Sequence, residues 1–258
     1  MPIFQNKDVS LNYQTFGEKS KPALIFSNSL GTNYTMWQAQ IDALKDDFFI
    51  ICYDTRGHGQ SSTPNHAYTI DELGGDVVAL LDFLGVEKAN FCGISMGGLT
   101  GIWLAIHAPH KFNKIIVSNT AAKIGNKEAW QDRANSVREN GLQAIANTAP
   151  SRWFTDEFIA KHPDAVKKLS DDLAKGDKDG YANCCEALAV ADLRDELKNA
   201  QVSMLVIAGE NDPVTTVTDG EFIVANAPNA SLATINASHI ANVEQSNRFC
   251  ELILTWLK

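Results

Sequence analysis

A serine between glycines stands at Gly93-Ile94-Ser95-Met96-Gly97, with Gly98 behind it. A hydroxyl alone is a poor nucleophile. It needs a base to take its proton and an acid to orient that base. Six histidines could serve: His58, His66, His107, His110, His162 and His239. Only His239 follows a late strand-like run, residues 230–235, and precedes an amphipathic terminal stretch, residues 243–257. That puts it on a loop leaving the carboxyl end of a strand, where open α/β sheets carry their functional groups. His107 and His110 bracket Pro109 at the far end of the segment after Ser95, pointing away from it. For the acid, the apolar run 203–208 ends in Gly209-Glu210-Asn211-Asp212-Pro213-Val214. Asp212 is preferred, because Pro213 favours an extended or turn conformation before it; Glu210 is the local competitor. The run 114–117 ends in Ser118-Asn119-Thr120 and offers no carboxylate.

Acyl transfer through a serine also needs N–H groups for the developing oxyanion. The run 23–26 ends in Ser27-Asn28-Ser29-Leu30-Gly31, which places one donor at Leu30; the residue after the nucleophile, Met96, supplies the other. The Asp54-Thr55-Arg56-Gly57-His58-Gly59 turn reads as structural, with charged side chains bracing a glycine turn beside the nucleophile loop. Trp130 and Arg133 are three residues apart and share a helix face, and Arg152 and Trp153 follow nearby. Either they pack and solvate a helical block, or they face a pocket. In the second case Arg133 holds a substrate carboxylate through two parallel hydrogen bonds, and Arg152 is the alternative cation.

The elements that must position these groups alternate. A hairpin joins residues 3–5 to 9–15; strands then follow at 23–26, 48–53, 89–92 and 114–117, with a helix at 34–44 between the first two of them. Thr69-Ile70-Asp71-Glu72 has the spacing of a capping box, and Ile70, Leu73, Val77, Leu80, Leu81 and Leu84 form one apolar stripe ending at Gly85. Ser95 sits between the strand at 89–92 and a helix at 99–106, on a bend where side chains on its neighbours would collide. From residue 121 to 198 no strand pattern occurs; helical segments are broken by Gly125, Gly141, Pro150, Pro163 and Gly176. Alternation resumes at Val202. The expectation is a mostly parallel sheet flanked by helices, built from residues 1–120 and 199–258. Residues 121–198 form an all-helical cap over its carboxyl edge.

The composition, 45% hydrophobic and 21% charged, is ordinary for a soluble globular chain of 258 residues. No apolar run approaches the roughly 18 residues of a membrane span, and the start lacks the pattern of a signal peptide, so a cytoplasmic location is expected. The five cysteines are odd in number and form no Cys-x-x-Cys, which points to buried free thiols and no metal site. A net charge of −9 argues against nucleic-acid binding but not against a small anion held by a local cation.

The order serine, acid, histidine, together with the Asp54–Gly59 turn and the inserted helical block, resembles the α/β-hydrolase superfamily. Several stretches resemble the 3-oxoadipate enol-lactonase family of the bacterial β-ketoadipate pathway of aromatic catabolism. These are Ser27-Asn28-Ser29-Leu30-Gly31-Thr32, Ala121-Ala122-Lys123-Ile124-Gly125, Arg152-Trp153-Phe154-Thr155, Gly180-Tyr181-Ala182-Asn183-Cys184-Cys185 and Gly209-Glu210-Asn211-Asp212-Pro213-Val214-Thr215. The Asn28-Ser29 pair, a departure from the wider superfamily's histidine-glycine, is what this subfamily shows. The resemblance implies opening of a small anionic enol-lactone by Ser95, His239 and Asp212, with no metal or organic cofactor. Two competing readings remain at this stage: another cofactor-free hydrolase of the fold, or a receptor that binds without turnover.

Overall fold

The computed structural model describes residues 2–258, so Met1 lies outside the description. The chain opens with a hairpin, β1 (Ile3–Asn6) and β2 (Val9–Phe16), closed by Lys7 in the left-handed region at φ 51°. β3 (Ala23–Ser27) follows. A 3₁₀ turn (Tyr34–Trp37) leads into α1 (Gln38–Leu44), so the helix expected over 34–44 starts with a tighter turn. Asn33 causes this by accepting the Thr35 N–H at 3.0 Å. Then come β4 (Phe49–Tyr53), α2 (Ile70–Phe83), β5 (Ala89–Ile94), α3 (Met96–His107) and β6 (Phe112–Ser118).

Everything between β6 and β7 is helical or irregular: α4 (Lys127–Asn140), α5 (Gln143–Thr148), α6 (Pro150–Trp153), α7 (Asp156–Lys161), α8 (Pro163–Ala174) and α9 (Lys178–Val190). The chain ends with β7 (Ser203–Gly209), α10 (Val217–Asn226), β8 (Ala230–Ile235), α11 (Ala241–Glu244) and α12 (Ser246–Leu257). The terminal helix expected over 243–257 is therefore two helices, interrupted at Gln245 (φ −124°, ψ 50°). No glycine or proline marks this break.

The eight strands form one sheet in the order β1-β2-β4-β3-β5-β6-β7-β8. β1, β2 and β4 pair antiparallel, and all other neighbours pair parallel. A parallel sheet covered on both faces requires strands that are apolar on both sides, and β3, β4 and β5 are buried at every residue. α2 shows how the sequence sets its own helix: the Thr69 hydroxyl accepts the Glu72 N–H, and Glu72 accepts the Thr69 N–H. Its stripe of Ile70, Leu73, Val77, Leu80 and Leu81 is buried, and Gly85, at φ 69°, turns the chain away. On the other side of the sheet α1 packs on α12, and Trp37 stacks on Phe26 with ring centroids 4.5 Å apart. All five cysteines are free and buried. Among the described residues no helix is long and apolar enough to cross a membrane.

Candidate active site

Ser95 links the end of β5 to the start of α3 at φ 57° and ψ −117°, a conformation that costs a non-glycine residue on the order of 1–3 kcal/mol. Three hydrogen bonds hold it there. The Ser95 N–H donates to the Ser118 carbonyl at 2.9 Å, and the Ser95 carbonyl accepts the Leu99 N–H at 2.9 Å and the Thr120 hydroxyl at 2.8 Å. The flanking glycines are steric necessities. A Cβ on Gly93 would lie 2.2 Å from the Gly97 carbonyl oxygen, and one on Gly97 would lie 2.3 Å from that of Ser27.

His239 is on the loop after β8, and its Nε2 lies 2.9 Å from Ser95 Oγ. Its Nδ1 lies 2.8 Å from Asp212 Oδ2, on the loop after β7. Asp212 is an acceptor only, so Nδ1 carries the proton and Nε2 is free to accept the serine proton. The Asp212 carboxylate also accepts the N–H groups of Val214 (2.8 Å) and Thr215 (3.1 Å), the Thr215 hydroxyl (2.9 Å) and Asn119 Nδ2 (3.0 Å). Burial pushes its pKa up, but the bond and charge of His239, with the other donors, outweigh this and hold it below the usual carboxylate range. Glu210 is exposed and takes no part.

The backbone N–H groups around Ser95 differ in whether they are already occupied. Gly31 N–H donates to His58 Nε2 at 2.9 Å, Thr32 N–H to the Ser29 carbonyl, and Gly97 N–H to the Asn28 carbonyl. The N–H groups of Leu30 and Met96 are left without an acceptor among the described residues, on the two segments that flank Ser95. Asn28 anchors the first segment, donating to the Tyr53 carbonyl and accepting the Trp37 indole N–H. The Asp54–Gly59 turn braces this region as expected from its charges. Arg56 forms a two-point contact with Asp76 and pairs with Glu72, and Asp54 accepts from Asn12 and from the N–H groups of Tyr34 and Gln60. Burial lowers the pKa of His58, matching its use as a neutral acceptor toward Gly31.

Ser95, His239, Ser29 and Leu30 open into a cavity of about 210 Å³. The helical block contributes Trp130, Arg133, Arg152, Trp153 and Tyr181 to its lining, together with the apolar Ile124, Ile145, Leu173 and Leu188. All four residues of this block singled out from the sequence, Trp130, Arg133, Arg152 and Trp153, thus line the cavity. Trp130 uses its indole N–H on the Ile124 carbonyl and presents its ring to Arg133, whose guanidinium carbon is 4.8 Å from the ring centroid. The Arg152 guanidinium donates to the Thr148 hydroxyl; its burial and the nearby Arg133 charge lower its pKa. Among the described residues neither arginine has a carboxylate partner. Tyr181 lies beside both guanidinium groups and was not identifiable as a site residue from its own sequence context. Asn119 was likewise missed. At φ 46° and fully buried, it donates Nδ2 to both Asp212 and the Ser238 carbonyl. The only signal was its place at the end of a central strand.

A mostly parallel sheet that carries a strained serine after one strand, and then an acid and a histidine after two later ones, defines an α/β hydrolase. The chain belongs to that family: residues 22–246 match the alpha/beta hydrolase fold. Within it, the chain is 59% identical over 255 residues to 3-oxoadipate enol-lactonase 2 of Acinetobacter baylyi, covering 96% of both chains. It is 45% identical over 256 residues to 3-oxoadipate enol-lactonase 1 of the same organism, covering 99% of this chain and 96% of the relative. The crystal structure of the enol-lactonase from Burkholderia xenovorans LB400 superimposes with a TM-score of 0.97 at 39% identity over 99% of each chain.

Proposed function

We propose that this protein is a serine hydrolase that opens the ring of 3-oxoadipate enol-lactone to give 3-oxoadipate, with residues 121–198 as the cap that recognises the substrate. The observation that carries the reading is the composition of one small cavity. Its lining joins Ser95 and His239 to two arginines, Arg133 and Arg152, that have no carboxylate partner among the described residues. A cationic wall beside an acyl-transfer centre calls for a small ester that carries its own carboxylate.

In the reaction, Ser95 Oγ attacks the lactone carbonyl while its proton passes to His239 Nε2. Asp212 holds the imidazole in the required tautomer and stabilises the imidazolium. The N–H groups of Leu30 and Met96 receive the charge that develops on the carbonyl oxygen. Collapse breaks the ring C–O bond. The leaving oxygen is an enolate, which is better stabilised than an alkoxide; it takes the proton from His239 and tautomerises to the ketone. It stays tethered to the acyl group, so the acyl-enzyme carries both the ketone and the original carboxylate. Water then gives a proton to His239 and attacks the Ser95 ester, and Ser95 leaves with that proton. The product has two carboxylates, and nothing in the sequence of steps needs a metal or redox cofactor.

The test is a panel of purified-protein assays on 3-oxoadipate enol-lactone, a neutral lactone of similar size and simple p-nitrophenyl esters. The reading expects kcat/KM for the carboxylate-bearing lactone to exceed that for the neutral lactone by at least an order of magnitude, about 1.4 kcal/mol. Equal turnover of all substrates would mark a general esterase, and stoichiometric binding without turnover would mark a receptor.

A further inference from the structure

His239 is held by more than its contact with Asp212. Both peptide groups beside it are fastened to other elements, and three of the fastenings lead to one stretch of the cavity wall, Arg152 to Thr155. The Ile240 N–H donates to the Trp153 carbonyl at 2.9 Å, and the Ser238 hydroxyl donates to the Arg152 carbonyl at 3.3 Å. The third runs through Glu244, at the end of α11. Its Oε2 accepts the Ser238 N–H at 2.8 Å. Its Oε1 accepts the Thr155 N–H at 3.3 Å and also the Thr155 hydroxyl. Glu244 has no cation partner among the described residues; its bonds are to two peptide N–H groups and one hydroxyl.

The chemistry of that spot is specific to a carboxylate. Peptide N–H groups can only donate, and they arrive from both sides. Only a side chain with acceptors at both positions satisfies them, and glutamine of the same shape would set an NH₂ against one N–H. Glu244 is the last residue of α11, directly before the break at Gln245. Arg152 and Trp153 line the substrate cavity, so the clamp joins the residues that meet the substrate to the turn that carries the base.

We propose that Glu244 is a positioning residue, which locks the His239 turn to the Arg152–Thr155 segment so that the placement of the base depends on the seating of the cap. The inference rests on the roles given above to Ser95 and His239. It does not depend on which lactone is the natural substrate.

The probe is therefore a neutral ester, p-nitrophenyl acetate, with Ser95→Ala in parallel to establish that cleavage occurs at Ser95. Glu244→Gln should lower kcat about 10- to 100-fold and change KM by less than about threefold, because a base displaced by a fraction of an ångström loses attack geometry while the cavity keeps its shape. The downfield proton resonance of His239 Nδ1–H should broaden or disappear in the same variant. Thr155→Val, which removes the hydroxyl arm together with that hydroxyl's cap on the Phe158 N–H of α7, should shift kcat in the same direction by about three- to tenfold and still fold. The proposal is overturned if Glu244→Gln lowers the melting temperature while kcat stays within twofold and the Nδ1–H resonance is unchanged. That pattern belongs to a residue that merely pins the helical block. It is overturned equally if Thr155→Val loses nothing.

Discussion

Replacing Arg133 by alanine separates recognition of charge from chemistry at Ser95. Arg133 and Arg152 line one cavity with no acidic partner among the described residues, and the charge of one depresses the pKa of the other. A substrate carboxylate would relieve that repulsion and accept charge-assisted hydrogen bonds. One such interaction is worth roughly 1.5–3 kcal/mol. Its loss in Arg133→Ala corresponds to a fall of about 10- to 150-fold in kcat/KM for the anionic lactone. A p-nitrophenyl ester without a carboxylate should lose less than about threefold, since Trp130 keeps its own anchor on the Ile124 carbonyl. In the single variant the remaining arginine takes over part of the charge. The Arg133→Ala/Arg152→Ala double variant should therefore lose more than the product of the two single losses, which a double-mutant cycle on kcat/KM would reveal. Equal losses on anionic and neutral substrates would refute the reasoning and mean that Arg133 acts through packing on Trp130. No loss on either would remove it from recognition altogether.

Three further outcomes follow from the site. Asp212→Asn should cost on the order of 10³ or more in kcat by favouring the wrong imidazole tautomer, whereas the exposed Glu210→Gln should stay within about twofold; a reversed pattern would reassign the acid. Asn119→Gly keeps the left-handed backbone but removes both Nδ2 bonds, so kcat should fall by about 10- to 100-fold with KM little changed; full activity would make that residue a backbone feature only. His58 is neutral in the fold and its pKa is lowered by burial, so the unfolded chain binds more protons as the pH drops below about 6.5. Its contribution is intact above that pH and is lost on acidification toward the folded value, by at most about 1.4 kcal/mol per pH unit. Denaturation midpoints between about pH 5 and 7.5 should fall more steeply for the wild type than for His58→Gln; identical slopes would contradict it.

Where the sequence was informative, the physics was local. The Thr69–Glu72 capping box, the apolar stripe of α2 and the mostly apolar strands β3 to β5 announce their conformations within a few residues. Ser95 is legible because its turn demands glycine on both sides, and His239 and Asp212 because each follows an apolar run in the right order. What stayed hidden depends on contacts between distant segments. Asn119 is an ordinary asparagine until the loops after β7 and β8 bring Asp212 and Ser238 to its amide. Glu244 lies within one continuous amphipathic pattern, and its contacts with Ser238 and with Thr155, 89 positions away, exist only in the folded chain. Tyr181 is an unremarkable helix residue until α9 is laid against the cavity.

The central claim is that Ser95 opens the lactone, and kcat of Ser95→Ala on 3-oxoadipate enol-lactone tests it most directly. The hydroxyl is the one protein group in the mechanism that forms a covalent bond to the substrate. Its removal should lower kcat by about 10⁴ to 10⁶, and the variant should keep the wild-type fold and still bind the lactone. A folded Ser95→Ala protein that retains more than about a tenth of wild-type turnover would contradict the account.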